Sequence, residues 1–113
     1  MAADLDRTLS ALADPTRRAI VERLRRRPLR PSEVAEALSM SRPAMSRHLR
    51  VLRRAGLIAQ EVVEEDARAR LIQLRTEPLS ALRAWVEDVE AMWGDQLAAF
   101  KAHAERVHRG GRR

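Results

Sequence analysis

Between Ser39 and Arg54 the chain carries five Arg and no acidic residue. At about 100° per residue, Met45, His48, Leu49 and Leu52 point one way along a helix. Pro43, Ser46, Arg47, Arg50 and Arg54 point the opposite way, with Arg42 and Arg53 to one side. Ser41 has the side chain to cap the start, and Gly56 stands just past the end, where a left-handed residue closes a helix. A helix with an apolar back and a cationic front needs a core behind it and leaves its guanidiniums to an anionic partner. The rest of the chain must therefore build a core onto Met45, Leu49 and Leu52.

The flanking segments read as that core. Leu5, Leu9 and Leu12 recur at helical spacing. Asp14-Pro15 restarts the chain as cap and first turn of a second helix, which presents Ile20 and Leu24 and ends in Arg25-Arg26-Arg27-Pro28. A short third helix opens around Pro31-Ser32-Glu33, capped either by Arg30 or by Ser32, with Val34, Ala35 and Leu38 facing inward. Ser39-Met40-Ser41 breaks it, so the third and fourth helices form a helix-turn-helix. Residues 57–75 change texture: Leu57-Ile58 and Val62-Val63, a polar tip Glu64-Glu65-Asp66-Ala67-Arg68, then Leu71, Ile72 and Leu74. This predicts a β-hairpin, a wing beside the helix-turn-helix. Thr76-Glu77-Pro78 starts the last helix. The expected order is α-α-α-α-β-β-α: one mainly α domain with a DNA-binding core at 4–76, a C-terminal dimerisation helix at 78–107 and a frayed basic tail at 108–113.

On the last helix Leu79, Leu82, Val86, Val89, Trp93 and Phe100 follow near-heptad spacing, widened by Trp85, Met92 and Leu97. Such a stripe is too long and apolar for one small domain to cover, and it argues for a helix–helix dimer. Packing against a second copy is favoured over a ligand cleft lined by Trp85, Met92 and Trp93.

Charge separates the two halves. Residues 1–60 hold 13 Arg against 6 acids, a net of +7, while residues 61–113 are net −1. The cations are 21 Arg and the single Lys101, and guanidinium forks suit phosphates and guanine edges. A basic front half and a neutral back half point to double-stranded DNA as the partner of the first. The N-terminal end of a reading helix goes deepest, which assigns Arg42, Pro43, Ser46 and Arg47 to base edges. Ser41 with the helix N-terminus falls to a phosphate, and Arg50 and Arg54 to the backbone.

Other classes find little support. There is no Cys, which removes disulfides, thiolate nucleophiles and thiolate metal sites. No Gly-rich phosphate loop is present, and Ser46 and His48 sit on opposite sides of their helix. We expect no enzyme, no cofactor and no metal. No run of 18 apolar residues would span a membrane, and the first residues lack the apolar core of a signal peptide, so the cytoplasm is the expected compartment.

The run from Leu12 to Val21 (LADPTRRAIV) resembles the second-helix opening of the ArsR-type (arsenic repressor) winged-helix regulators. The run from Ser41 to Leu57 (SRPAMSRHLRVLRRAGL) resembles their recognition-helix signature. The resemblance covers roughly residues 4–105. It implies a homodimer built from the first and last helices, binding to an inverted repeat at a promoter, usually repression, and a small-molecule or protein effector that the sequence does not identify. For the interface it implies Leu5 and Leu9 together with Leu79, Leu82, Trp85, Val86, Val89, Trp93, Leu97 and Phe100.

The chain departs from the family pattern twice. Metal-sensing members use Cys pairs or Asp/His/Glu sets on the last helix; here that helix offers His103 and His108, five apart and poorly placed to share a face. Its run from Glu77 through Trp85, Trp93 and Leu97 to Phe100 is instead similar to a metal-free branch. Family wings often carry a Gly-Arg tip, whereas this tip is Glu64-Glu65-Asp66 followed by Arg68 and Arg70. Acids are repelled by phosphates. Two outcomes stay open: the tip curls away and Arg68 or Arg70 still reaches DNA, or the wing contributes little.

Overall fold

Asp14, Arg30 and Ser41 each end an extended stretch and begin a helix, and these three caps set the frame of the fold. A computed structural model describes residues 2–62 and 70–111. Its elements are α1 (Ala2–Leu12), α2 (Pro15–Leu24), α3 (Pro31–Ala37), α4 (Arg42–Arg54), β1 (Ile58–Val62), β2 (Arg70–Leu74) and α5 (Glu77–Gly111). The chain divides into two units, Met1–Leu82 and Arg83–Arg113. The first is a winged helix-turn-helix in the expected order. The wing-tip acids and Arg68 lie outside the described residues.

At α2 the Asp14 carboxylate accepts from the Thr16 N–H at 2.8 Å and the Arg17 N–H at 3.1 Å. Pro15 occupies the first turn, where a missing N–H leaves no bond unmade. The Arg17 N–H holds the Asp14 carboxyl below its ordinary value of 3.8; partial desolvation opposes this, and the Thr16 N–H and the Arg17 charge add to it. At α3 the choice between two caps falls to Arg30, whose N–H donates to the Glu33 carboxylate at 3.0 Å.

Two helix ends close alike. After α3, Ser39 takes a positive φ of 52°, and the Met40 N–H reaches the Ala35 carbonyl at 2.9 Å. After α4, Gly56 takes φ 75°, and the Leu57 N–H reaches the Leu52 carbonyl at 3.0 Å. Both are left-handed closures that satisfy the last carbonyls. The first turns the chain from α3 into α4; the second turns it from α4 into the wing.

β1 and β2 pair antiparallel, Ile58 opposite Leu74 and Val62 opposite Arg70. The connector after α2, unassigned from sequence, adds a further rung: Leu29 and Ile72 exchange backbone hydrogen bonds of 3.1 and 2.7 Å. A single rung leaves no alternation in sequence, which is why it was not legible. Ile20, Val34, Leu52, Leu57 and Ile72 are fully buried, and Leu24, Leu29, Met45, Leu49 and Ile58 complete the core around them. Leu79, expected only at a dimer interface, packs against this core.

In the second unit α5 continues to Gly111, past the expected end at 107, so residues 108–111 are helical rather than a frayed tail. The helix formers Lys101, Ala102, Ala104 and Glu105 carry it on, and a glycine costs a helix only about 1 kcal/mol.

Three substitutions test this frame. Leu52→Ala is expected to lower unfolding stability in urea by about 2–5 kcal/mol. Gly56→Ala is expected to cost about 1–2 kcal/mol, through backbone strain alone, because a Cβ there would meet only the Pro78 ring at 3.6 Å. Asp14→Ala should lower Tm at neutral pH. Because the folded-state value of Asp14 is depressed, its contribution is present above the ordinary carboxylate value and is lost as pH falls through the lower one. The Tm gap between wild type and Asp14→Ala should therefore narrow from about pH 4 downward.

Candidate nucleic-acid interface

α4 separates its faces as its periodicity requires. Met45 and Leu49 are 3% and 4% exposed and Leu52 is fully buried, while Arg42, Pro43, Ser46, Arg47, Arg50, Arg53 and Arg54 are all exposed. At the N-terminus the Ser41 hydroxyl accepts from the Ala44 N–H at 3.3 Å, and Pro43 sits in the first turn. The unpaired N–H groups and the macrodipole of this 13-residue helix thus point out of the protein beside Arg42.

Among the described residues the guanidiniums on this face have no carboxylate partner. Among the described residues the ion pairs join Arg17 to Asp14, Arg25 to Glu22, Arg27 to Glu33, Arg75 to Glu77 and Arg83 to Glu87. None involves Arg42, Arg47, Arg50, Arg53 or Arg54. Like charges at i,i+3 and i,i+4, such as Arg47–Arg50 and Arg50–Arg54, cost an isolated helix about 0.2–0.5 kcal/mol each. Burial of Met45, Leu49 and Leu52 outweighs that, since a fully buried aliphatic side chain contributes about 1.5–3 kcal/mol.

Beside this face runs an open cleft of about 780 Å³ between α3, α4 and β2. Arg42 and Ser46 line it from α4 and Arg70 from the wing, so three residues singled out from the sequence share one concavity. Arg30, Pro31 and Ser32 line it from the start of α3, and Glu36 is the one carboxylate among its lining residues. Sequence reading treated Arg30 and Ser32 only as rival caps. Their place in the cleft depends on the Leu29–Ile72 rung, which draws the start of α3 to the wing strand. Arg47, Arg50 and Arg54 lie on the open face of α4 outside this cleft.

His48, expected to pack or make a structural hydrogen bond on the apolar side of α4, is half-buried with Nδ1 3.3 Å from the Arg17 guanidinium. On α5 of the second unit Trp85, Val86, Val89 and Leu97 are 38–49% exposed, and Trp93 and Phe100 are 61% and 72% exposed. Trp85, Val89, Met92 and Trp93 line a shallow groove of about 300 Å³. In the first unit Leu5 and Leu82 are half-buried and Leu9 is 40% exposed. His103 and His108 are exposed on α5, and no helix among the described residues is long and apolar enough to cross a membrane.

A helix-turn-helix domain model matches residues 12–61, the stretch from the end of α1 into β1. The HTH-type transcriptional regulator Rv2034 of Mycobacterium tuberculosis is 43% identical over 95 residues, covering 84% of this chain and 83% of that protein. The transcriptional repressor SdpR of Bacillus subtilis is 33% identical over 55 residues, covering 49% of this chain and 61% of that protein. Among solved structures, an ArsR-like transcriptional regulator from Rhodococcus sp. RHA1 superposes with a TM-score of 0.77 at 31% identity, covering 88% of this chain and 92% of that one. With the fold, the cationic reading helix and these relatives in agreement, the chain belongs to the ArsR family of winged helix-turn-helix transcriptional regulators, which bind DNA and are not enzymes.

Proposed function

We propose that the chain is a homodimeric repressor that reads an inverted-repeat operator with α4. The observation that carries this reading is the outer face of α4: exposed guanidiniums without ion pairs among the described residues, turned outward by a buried apolar back. In the major groove Arg42, Pro43, Ser46 and Arg47 meet base edges. An Arg offers a bidentate pair to guanine, and the Pro43 ring fits a thymine methyl. Ser41 and the α4 N-terminus hold one phosphate, and Arg50 and Arg54 hold others. The cleft beside α4 then takes a sugar–phosphate strand, with Arg30 and Arg70 from its two walls and Arg68 of the wing assigned to the same backbone.

The apolar residues Trp85, Val86, Val89, Trp93, Leu97 and Phe100, with Leu82 and the α1 residues Leu5 and Leu9, form the contact with a second copy. The exposure of Trp85, Val86, Val89, Trp93, Leu97 and Phe100 along α5 supports the α5 part of this contact, since exposed apolar surface of this kind marks an interaction site. Two copies present two reading helices to half-sites about 34–36 Å apart, one turn of the duplex. A promoter covered in this way is closed to polymerase, and the similarity to the repressor SdpR supports repression over activation.

Recovery of bound DNA from the source genome gives the operator, and fluorescence anisotropy on it tests the reading. The logarithm of the affinity should fall linearly with the logarithm of salt, by about 0.9 per phosphate contacted. Arg47→Ala should weaken operator binding at least about tenfold while leaving binding to random duplex, Tm and oligomeric state near wild type. Unchanged operator affinity would refute the assignment of α4. For assembly, light scattering at micromolar concentration should return a dimer for the wild type and a monomer for Trp93→Glu, whose site is exposed in the single chain and so leaves the fold intact. A monomeric wild type would refute the dimer.

A further inference from the structure

α4 is held from behind by a polar clamp as well as by the core. Arg17 lies in the first turn of α2, and its side chain is 17% exposed. Its Nε donates to the Ala11 carbonyl at 2.7 Å and one terminal nitrogen donates to the Ser10 carbonyl at 3.2 Å, both in the last turn of α1. The other terminal nitrogen stands 3.3 Å from His48 Nδ1 on α4 and 3.9 Å from the Asp14 carboxylate that caps α2. One planar guanidinium therefore ties together the end of α1, the start of α2 and the back of α4. Arg has donors only, so in a hydrogen bond between the two His48 Nδ1 is the acceptor, which is the tautomer with its proton on Nε2.

We propose that Arg17, acting through His48, is a positioning residue that sets the rotation of the DNA-reading helix relative to α1. Ser46 lies two residues before His48 and Arg47 one residue before it, so their directions follow from that of His48 by steps of about 100°. Pinning His48 aims the base-reading side chains. Burial of Met45, Leu49 and Leu52 decides which face of α4 turns inward, and because burial itself is non-directional, a polar contact at His48 adds a directional constraint to that choice. The charge-assisted bond to Arg17 is directional. It is also anchored on α1 carbonyls rather than on another mobile side chain.

The clamp has a consequence for the assembly, and here the inference rests on the homodimeric reading proposed above. If α1 lies at the dimer contact, Arg17 is the link by which the contact between two copies fixes the spacing of their reading helices. A loosened clamp then damages discrimination between operator spacings more than it damages affinity for duplex in general. The charged groups shown near His48 are Arg17 and Asp14, and the Ser10 and Ala11 carbonyls of α1 bond Arg17. A substitute that accepts from Arg17 should therefore serve in place of the imidazole.

The test uses full-length chain and the recovered operator, with versions lengthened or shortened by one base pair between half-sites. The wild type first has to bind the operator, which separates failure of this inference from failure of the DNA-binding reading. His48→Leu, which keeps bulk and removes the acceptor, should lose about tenfold or more in operator affinity and should flatten the preference for the native spacing, with random-duplex affinity retained. His48→Asn, whose side-chain oxygen is bonded to Cγ as Nδ1 is and so can accept from Arg17, should restore both. Arg17→Ala should resemble His48→Leu, and the double variant should lose little more than either single one, as expected for two halves of one contact. Native spacing preference in His48→Leu, or losses that add in the double variant, would overturn the proposal. So would equal losses in His48→Leu and His48→Asn. A Tm measured for each variant keeps the comparison valid: Arg17→Ala is set aside if it does not fold, and the His48 pair decides alone.

Discussion

Burial of Met45, Leu49 and Leu52 in one core with Ile20, Val34, Leu57 and Ile72 turns the rest of α4 outward, and the whole interface follows from that rotation. Five arginines within 13 residues would not choose a common face by charge; repulsion would spread them. They share a face because three apolar positions at helical spacing are withdrawn from water on the other side. The two left-handed closures then fix where the helix starts and stops. Ser39 takes that conformation without glycine's freedom, and Gly56 takes it with, so strain sits at the turn before α4 and is absent from the turn after it.

The charge pattern carries the second constraint. Arg17, Arg25, Arg27, Arg75 and Arg83 all find carboxylates, and those pairs lie off the α4 face. Among the described residues no carboxylate pairs with the guanidiniums of α4, so a polyanion arriving there displaces small ions rather than any of these ion pairs. This is the arrangement in which phosphate binding is favourable and strongly dependent on salt. The same logic governs the cleft between α3, α4 and β2, where Arg30, Arg42 and Arg70 converge on a space that admits a backbone strand and includes Glu36 as its only acid among the lining residues.

Much of this was legible before any coordinates. The bounds of α4 follow from Ser41, the period of Met45, Leu49 and Leu52, and Gly56, because caps and amphipathic spacing are local signals. The hairpin at 57–75 and the Asp14-Pro15 restart were legible for the same reason. What escaped is non-local. The Leu29–Ile72 rung joins residues 43 positions apart by backbone atoms that carry no side-chain pattern. Arg30 and Ser32 reach the cleft only through that rung. The Arg17–His48 contact spans 31 positions and depends on how three helices meet. The end of α5 was misplaced at 107 because Gly110-Gly111 reads as a breaker, although a good helix can run into glycine at modest cost. For the wing, Arg70 is at the cleft wall, whereas Arg68 lies outside the described residues and its role rests on sequence.

The division of charge between the two halves bears on how such a chain can assemble. Residues 1–60 carry +7, so two of these halves brought together without an anion repel; residues 61–113 carry −1, so two of those do not. The apolar stripe from Trp85 to Phe100 falls in the nearly neutral half. Contact between copies is therefore least opposed where apolar surface is most exposed, and the repulsion between the basic halves is relieved when a duplex lies across both. On the proposed reading, self-association through α5 and DNA binding through α4 draw mainly on different parts of the chain. A contact centred on α4 would instead have to bury uncompensated guanidiniums against their own copies, at a desolvation cost of several kcal/mol per charge.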